Sequence, residues 1–483
     1  MGKKNTEASG EVLVKSSFWY IVSSFLSRAM VFITTPIFTR LLTKREYADF
    51  SVYASWQNIL IIICGLEMYI SVNRVRLDCS EEELDSYISS SIVLSSIFTS
   101  GLFLFYLLFP DLVSKVLLLD RKYILLMFIY LYTFPVFTMF QAKQRIEYRY
   151  KLSAGISFFV LFIATSLSVV LANLMETDRL LGRILGQYMP YVVVGLGFYI
   201  YFLIKNHTIR LTHWKTTITL GAPLVFSFLG GQVLLNSDKL IVKHMSTSEE
   251  VAWLVLATTG SHIMLLLAQT FNNAWAPWFF DKLQEKDYPM IRKSFSLYLA
   301  ALVFCTFAVL LIGPELILLL GGKSFSESVY LLPAYMSCGI FTALTSQYVN
   351  LETYHKKTNI SAVLTVVVAV LNVVLDIIGV RIWGYQMVCY ATVVCQILLV
   401  FLHAWATRKM DSETILPLKL VATVIGAVIL TIAIPLILYQ NSILRFEVIG
   451  LLITAFLGVV ISQRDRIKMA IQSFKRQKGK RSP

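Results

Sequence analysis

Charge is scarce in this chain. Asp, Glu, Lys and Arg make up 15% of its 483 residues against roughly a quarter in soluble domains, while 57% of residues are hydrophobic and the mean hydropathy is +0.68. That much apolar surface cannot be hidden in water, so composition excludes a soluble fold. Long polar stretches are missing too. The widest internal interval between apolar runs, roughly 276–293, is too short to house an extramembrane catalytic domain, and no enzymatic activity is expected. Disulfide patterning is absent: of six cysteines, Cys64, Cys305, Cys338, Cys389 and Cys395 lie in apolar runs and Cys79 alone in a loop. No zinc-type Cys/His spacing occurs, so no metal is expected. Gly321-Gly-Lys-Ser324 has the ending of a nucleotide-binding loop, but Leu318 stands where the motif needs Gly and no strand precedes it. No cofactor is expected, and any driving energy comes from a gradient or from downstream consumption.

Acidic residues are the scarcer charged class, 29 against 43 basic ones, for a formal charge of +14. The basic excess falls between apolar runs and in the tail 463–483, where Ile467, Ile471 and Phe474 have helix-like spacing. This arrangement suits loops and a surface segment facing anionic headgroups, and excludes nucleic acid as a partner.

Long apolar runs are what the chain has in abundance. A bilayer core takes roughly 20 apolar residues as a helix. Fourteen such runs occur, at 17–38, 50–71, 86–109, 123–141, 152–173, 182–204, 216–235, 251–275, 294–313, 328–349, 358–378, 383–405, 418–438 and 446–462. The expected fold class is therefore an all-α polytopic membrane protein with about fourteen transmembrane helices. Lys3, Lys4 and Lys15 precede a first run too long for a signal peptide and without a clear cleavage site, so it reads as a retained helix. The side richer in Lys and Arg holds both termini, which places them in the cytoplasm.

A shift of 204 positions pairs Thr43, Glu46 and Ala48 with Thr247, Glu250 and Ala252, each trio following the first helix of a six-helix set. The expected organisation is a cytoplasmic segment 1–16, a six-helix bundle 17–204, a second 216–405, helices 13 and 14 at 418–462, and a basic cytoplasmic tail 463–483. Repeated halves around a central site are a common transporter design.

Polar and ionisable groups inside the runs are the candidate site. Arg28, in helix 1, suits an anionic ligand or a structural ion pair. Glu67 could pair with Arg28, couple ions, or reach the interface beside Arg74 and Arg76. Asp238 and Lys239 either face a cavity mouth or cap helix 7. Arg183 and Gln187, one turn apart, could offer a cation and a hydrogen bond to phosphate, with snorkelling of Arg183 as the alternative. His262, Gln269, Asn272 and Asn273 could line a sugar path or bond neighbouring helices. Asp376 follows Asn372 by one turn, open to ion coupling or to an interfacial pair with Arg381. Pro36, Pro135, Pro190, Pro223, Pro333 and Pro435 fall within or beside the runs and allow kinks.

Several stretches resemble one family. Thr35-Pro-Ile-Phe-Thr-Arg-Leu-Leu-Thr-Lys-Arg-Glu-Tyr-Ala-Asp-Phe50 is similar to the end of helix 1 in bacterial polysaccharide flippases of the Wzx type, within the multidrug/oligosaccharidyl-lipid/polysaccharide (MOP) superfamily. Gly221-Ala-Pro-Leu224 leading to Asn236-Ser-Asp-Lys239, Phe271-Asn-Asn-Ala-Trp-Ala-Pro-Trp278, and Lys356-Lys-Thr358 with Leu371-Asn372 and Trp383-Gly384 resemble its helices 7, 8 and 11. The chain departs from the pattern at Asp376, usually Asn, and at Gly384-Tyr-Gln386, usually Gly-Ala-Ala.

The resemblance implies two six-helix bundles in a V around a cavity that opens alternately to each side. It implies movement of undecaprenyl-diphosphate-linked oligosaccharide repeat units from the inner to the outer leaflet of the bacterial plasma membrane, for O-antigen, capsule or other surface polysaccharide. Membrane lipids, and a polysaccharide polymerase with other assembly proteins, are the expected partners. By position Arg28 matches the cavity cation that holds the diphosphate, followed by Arg74, Arg183 and Lys239. Gln187 then joins Arg183 at the diphosphate, His262, Gln269, Asn272 and Trp275 meet the sugars, and Glu67, Asp238 and Asp376 are the candidates for ion coupling. Two other classes compete: a cation-coupled multidrug or lipid exporter of the same superfamily, which needs acidic cavity residues, and an intramembrane polymerase or ligase, which needs a large outer loop that the chain lacks.

Overall fold

The computed structural model describes residues 29–76, 80–147, 149–205, 209–357, 359–408, 410 and 415–462. Arg28, Cys79, Thr358, the 1–16 segment and the tail 463–483 lie outside them. Among the described residues there is no strand. The first half comprises α1 (Ala29–Leu41), α2 (Lys44–Gly65), α3 (Met68–Val75), α4 (Glu81–Leu108), α5 (Pro110–Leu117), α6 (Arg121–Ile146), α7 (Tyr150–Leu174) and α8 (Arg179–Lys205). The second comprises α9 (Leu211–Met245), α10 (Ser248–Gln284), α11 (Tyr288–Leu311), α12 (Gly313–Gly321), α13 (Ser328–Tyr354), α14 (Asn359–Trp383) and α15 (Met387–Thr407), followed by α16 (Leu418–Leu438) and α17 (Ser442–Ser462).

Eleven of the described helices are long and apolar enough to cross a membrane, and α1, α2 and α17 correspond to the other three expected spans. The chain is a multi-pass membrane protein. Its five described cysteines are free.

The internal repeat has a local cause. Thr43 and Thr247 are the N-caps of α2 and α10, and each closes a reciprocal capping box with Glu46 or Glu250. Each box satisfies amides that a helix start would leave bare in a dry setting. Ala48 and Ala252 follow, both fully buried. Two of the three shared positions therefore start a helix, and the third lets it pack closely.

One expected helix is broken. The run 50–71 divides at Leu66 and Glu67, which both take left-handed backbone angles, φ 47° and 48°. Two such non-glycine residues cost on the order of 1–3 kcal/mol each, so the surroundings must impose them. Gly65 sits against Pro135 of α6, and the Leu66 carbonyl points at Gly221 of α9, where a Cβ would lie 2.5 Å from that oxygen. The carbonyl approaches the neighbouring helix only because residue 221 has no side chain.

Packing within each half relies on small residues, as helix association in lipid does. α7 and α8 meet at Gly182 and Gly186, where a Cβ would run into the backbone at Leu171 and Ser168. Gly186→Val should overpack this seam and destabilise the protein by about 1–3 kcal/mol. A lower unfolding midpoint in detergent is the expected reading, and an unchanged one would refute the seam's importance. In the second half α13 is the most buried span, lying against α10, α15 and α16, while α9 packs on α14. α2 touches α6 and α8 of the first half and α9 and α10 of the second, so it joins the halves.

Candidate functional site

α9 runs unbroken to Met245, so Asn236-Ser-Asp-Lys239 lies inside it and does not cap its end. Successive residues of a helix point about 100° apart, and Asp238 and Lys239 diverge accordingly. Asp238 turns into the core of the second half, where the Tyr335 hydroxyl donates to Oδ2 at 2.6 Å and the Thr392 hydroxyl lies 3.1 and 3.3 Å from its two oxygens. Asn372 extends the network: its amide NH2 lies 3.4 Å from Thr392 Oγ1 and 3.5 Å from Asp376 Oδ1, and its carbonyl accepts from Ser237 at 3.0 Å. Asn372 and Asp376 are fully buried, which removes the reading of Asp376 as an interfacial partner of Arg381. The second carboxylate oxygen of Asp376 is buried without a hydrogen bond.

Four helices thus converge on two carboxylates. Two negative charges in a dry interior are costly unless neutralised. The bonded set is all oxygen and amide, which suits a proton or a hard monovalent cation. Among the described residues no cluster of three or more His, Cys, Asp or Glu could hold a metal ion.

Polar ties join the two halves at both ends. At one, α4 holds the start of α9, with Trp214 donating to the Ser90 carbonyl at 2.8 Å and Ser91 and Thr217 sharing a hydrogen bond at 3.0 Å. The other, the tied end, carries the charged and aromatic ties. Thr39 donates to the Leu320 carbonyl at 2.6 Å, Arg40 to the Leu319 carbonyl at 3.3 Å, and Lys44 pairs with Glu249 at 3.3 Å. Lys243 bonds Asp49 with both side chains mostly shielded, 13% and 18% exposed. Tyr47 packs edge-on against Phe325, and the Lys44 ammonium sits over the Trp253 ring. Asp178, between α7 and α8 at the same end, is partly buried, which raises its pKa. Hydrogen bonds from Lys122, the Leu181 amide and Tyr123 outweigh this and hold it below the usual carboxylate range. Its neighbour Arg179 donates to the Leu41 carbonyl at 2.8 Å.

The other expected site residues scatter. The Arg183 guanidinium is boxed by aromatic rings, 3.7 Å from the Phe50 centre, 4.1 Å from Phe38 and 5.3 Å from Tyr47, and two of its nitrogens have no hydrogen-bond partner. Its charge is held by ring faces of α1 and α2 rather than offered to a diphosphate. Gln187, one turn on, is partly buried beside it. Lys239 reaches Asn236 Oδ1 at 3.4 Å, an atom that also accepts from Ser55 of α2, so it sits between the halves. Arg74 is exposed at the end of α3. Glu67 is buried at the helix break with one carboxylate oxygen unbonded. His262, Gln269 and Asn273 are exposed along one stripe of α10, and polar groups at membrane depth face water rather than lipid. Asn272 accepts from Asn350 at 2.9 Å. Trp275 is buried among Phe271, Phe279 and Phe295 and leaves the set of sugar-facing residues. Sequence reasoning missed Tyr335, Thr392 and Asn350, which are unremarkable alone and gain meaning only from the helices opposite.

Residues 13–283 match the model of a family described as polysaccharide biosynthesis protein. The chain belongs to this family. An uncharacterized membrane protein of Haemophilus influenzae is 21% identical over 365 residues, covering 72% of this chain and 85% of that protein. Among solved structures, the lipid II flippase MurJ in an inward closed conformation aligns with a TM-score of 0.69 at 17% identity, over 92% of this chain and 99% of that one. An inward-facing multidrug resistance MATE family transporter of the MOP superfamily aligns with a TM-score of 0.57 at 15% identity, over 79% and 94%. The chain therefore has the MOP fold, as the resemblance of its motifs implied.

Proposed function

We propose that the protein is a flippase that carries undecaprenyl-diphosphate-linked oligosaccharide repeat units from the inner to the outer leaflet of the bacterial plasma membrane. Membership of the polysaccharide biosynthesis family carries this reading. The helices within 17–204 and 216–405 act as two bundles that rock about a central cavity, with both termini in the cytoplasm and the tied end on the outer side. A C-terminal reporter active outside the cell would overturn that topology. Basic residues, Arg28 first, hold the diphosphate, and the α10 stripe of His262 and Gln269 meets the sugars. Asp238 and Asp376 exchange a proton or a sodium ion, so that the gradient resets the carrier. A polysaccharide polymerase and other assembly proteins consume the product.

The decisive test is Arg28→Ala. Surface polysaccharide should fall to background while the protein persists in the membrane, and unchanged export would remove Arg28 from the site. The buried acid pair also fits a cation-coupled drug exporter, which would instead leave polysaccharide intact and sensitise a deletion strain to drugs.

A further inference from the structure

Away from the tied end, α10, α13 and α15 enclose a groove of about 220 Å3 lined by Asn272, Thr342, Thr345, Ser346, Asn350 and Gln396, with Val349 and Leu399 as its apolar walls. Its polar side chains are all uncharged. Hydroxyls and amides converging from three helices at membrane depth need partners, and one lacks any: Thr345 Oγ1 is buried without a hydrogen bond. Thr342 and Ser346 spend their hydroxyl protons on carbonyls one turn back, at 2.8 and 2.7 Å, and so present lone pairs. The Asn350 to Asn272 bond leaves the Asn272 NH2 and a carbonyl lone pair on Asn350 unspent. The groove therefore offers donors and acceptors together, with two aliphatic side chains against which a ring can lie.

We infer that this groove is a subsite for one neutral sugar ring of the cargo. Its volume lies below the roughly 300–1,000 Å3 typical of sites for whole ligands, so it takes a single residue of the oligosaccharide. An acidic sugar would bury its carboxylate there without a cation. The subsite is also tied to the acid pair. Gln396 lies one turn beyond Thr392 on α15, and Thr342 two turns beyond Tyr335 on α13, so the helices that grip Asp238 also shape the groove.

The inference rests on the flippase reading, and binding to the purified protein separates the two. The probes are undecaprenyl diphosphate bare, carrying N-acetylglucosamine, or carrying glucuronate. The wild type should prefer the N-acetylglucosamine lipid to the bare one by about tenfold or more, the worth of one or two good hydrogen bonds. The glucuronate lipid should show no such preference. Asn350→Leu and Gln396→Met should each erase the preference while bare lipid still binds, which also reports that the variants are folded. A preference that survives both substitutions, or equal preference for glucuronate, overturns the subsite alone. Failure of the wild type to bind any of the three lipids overturns the flippase reading and the subsite with it.

Discussion

Asp376→Asn should slow gradient-driven transport by on the order of 100-fold, the upper range of coupling between two sites in one protein. Asp238→Asn should do the same. The carboxylates share one buried network through Thr392 and Asn372, and an Asn at either position keeps the shape while removing the charge that a proton or sodium ion must neutralise. For Asp376→Asn stability should not fall, because the substitution deletes a buried charge from a site whose second oxygen is unbonded. Flipping of a lipid-linked sugar in proteoliposomes, with an imposed proton or sodium gradient, reads the effect, and the gradient that matters names the ion. Wild-type rates in both variants would remove the acid pair from the mechanism.

The second large effect concerns the tied end. Asp49→Lys should release it, because Lys243 would then face a like charge in a place mostly shielded from water. Breaking a shielded pair costs about 3–5 kcal/mol, enough to move the balance between closed and open forms by more than a hundredfold. The swap Asp49→Lys with Lys243→Asp should restore closure. Spin-label distances across this end, measured in the single and double variants, report both outcomes. A single variant that stays closed would show that the neighbouring contacts of Thr39, Lys44 and Tyr47 suffice without the pair.

The helices were legible because lipid imposes one signal, an apolar run of a set length. Where expectation and structure part, a tertiary contact decided. The break at Leu66 depends on Gly221, more than 150 residues away, and Gly65 alone does not announce it. α9 outruns its expected end because Asn236, Ser237 and Asp238 look like a polar terminus but are buried in bonds to α2, α13, α14 and α15. Asp376 stood out by charge, whereas its partners Thr392 and Tyr335 carry no local mark. Arg183 was visible as an intramembrane cation, but the rings of Phe38, Tyr47 and Phe50 that hold it come from α1 and α2.

The paired capping boxes bear on how the two halves fit together. Two helices that begin with the same Thr-x-x-Glu element meet at one end, and their flanking residues are complementary rather than alike. Lys44 meets Glu249, and the residue that corresponds to Glu249 in the first copy, 204 positions earlier, is Arg45. Two copies of the first half would set Lys44 against Arg45. At this contact each residue answers to its partner across the seam rather than to its twin, and the match works in one arrangement of the two halves and not in the doubled first half.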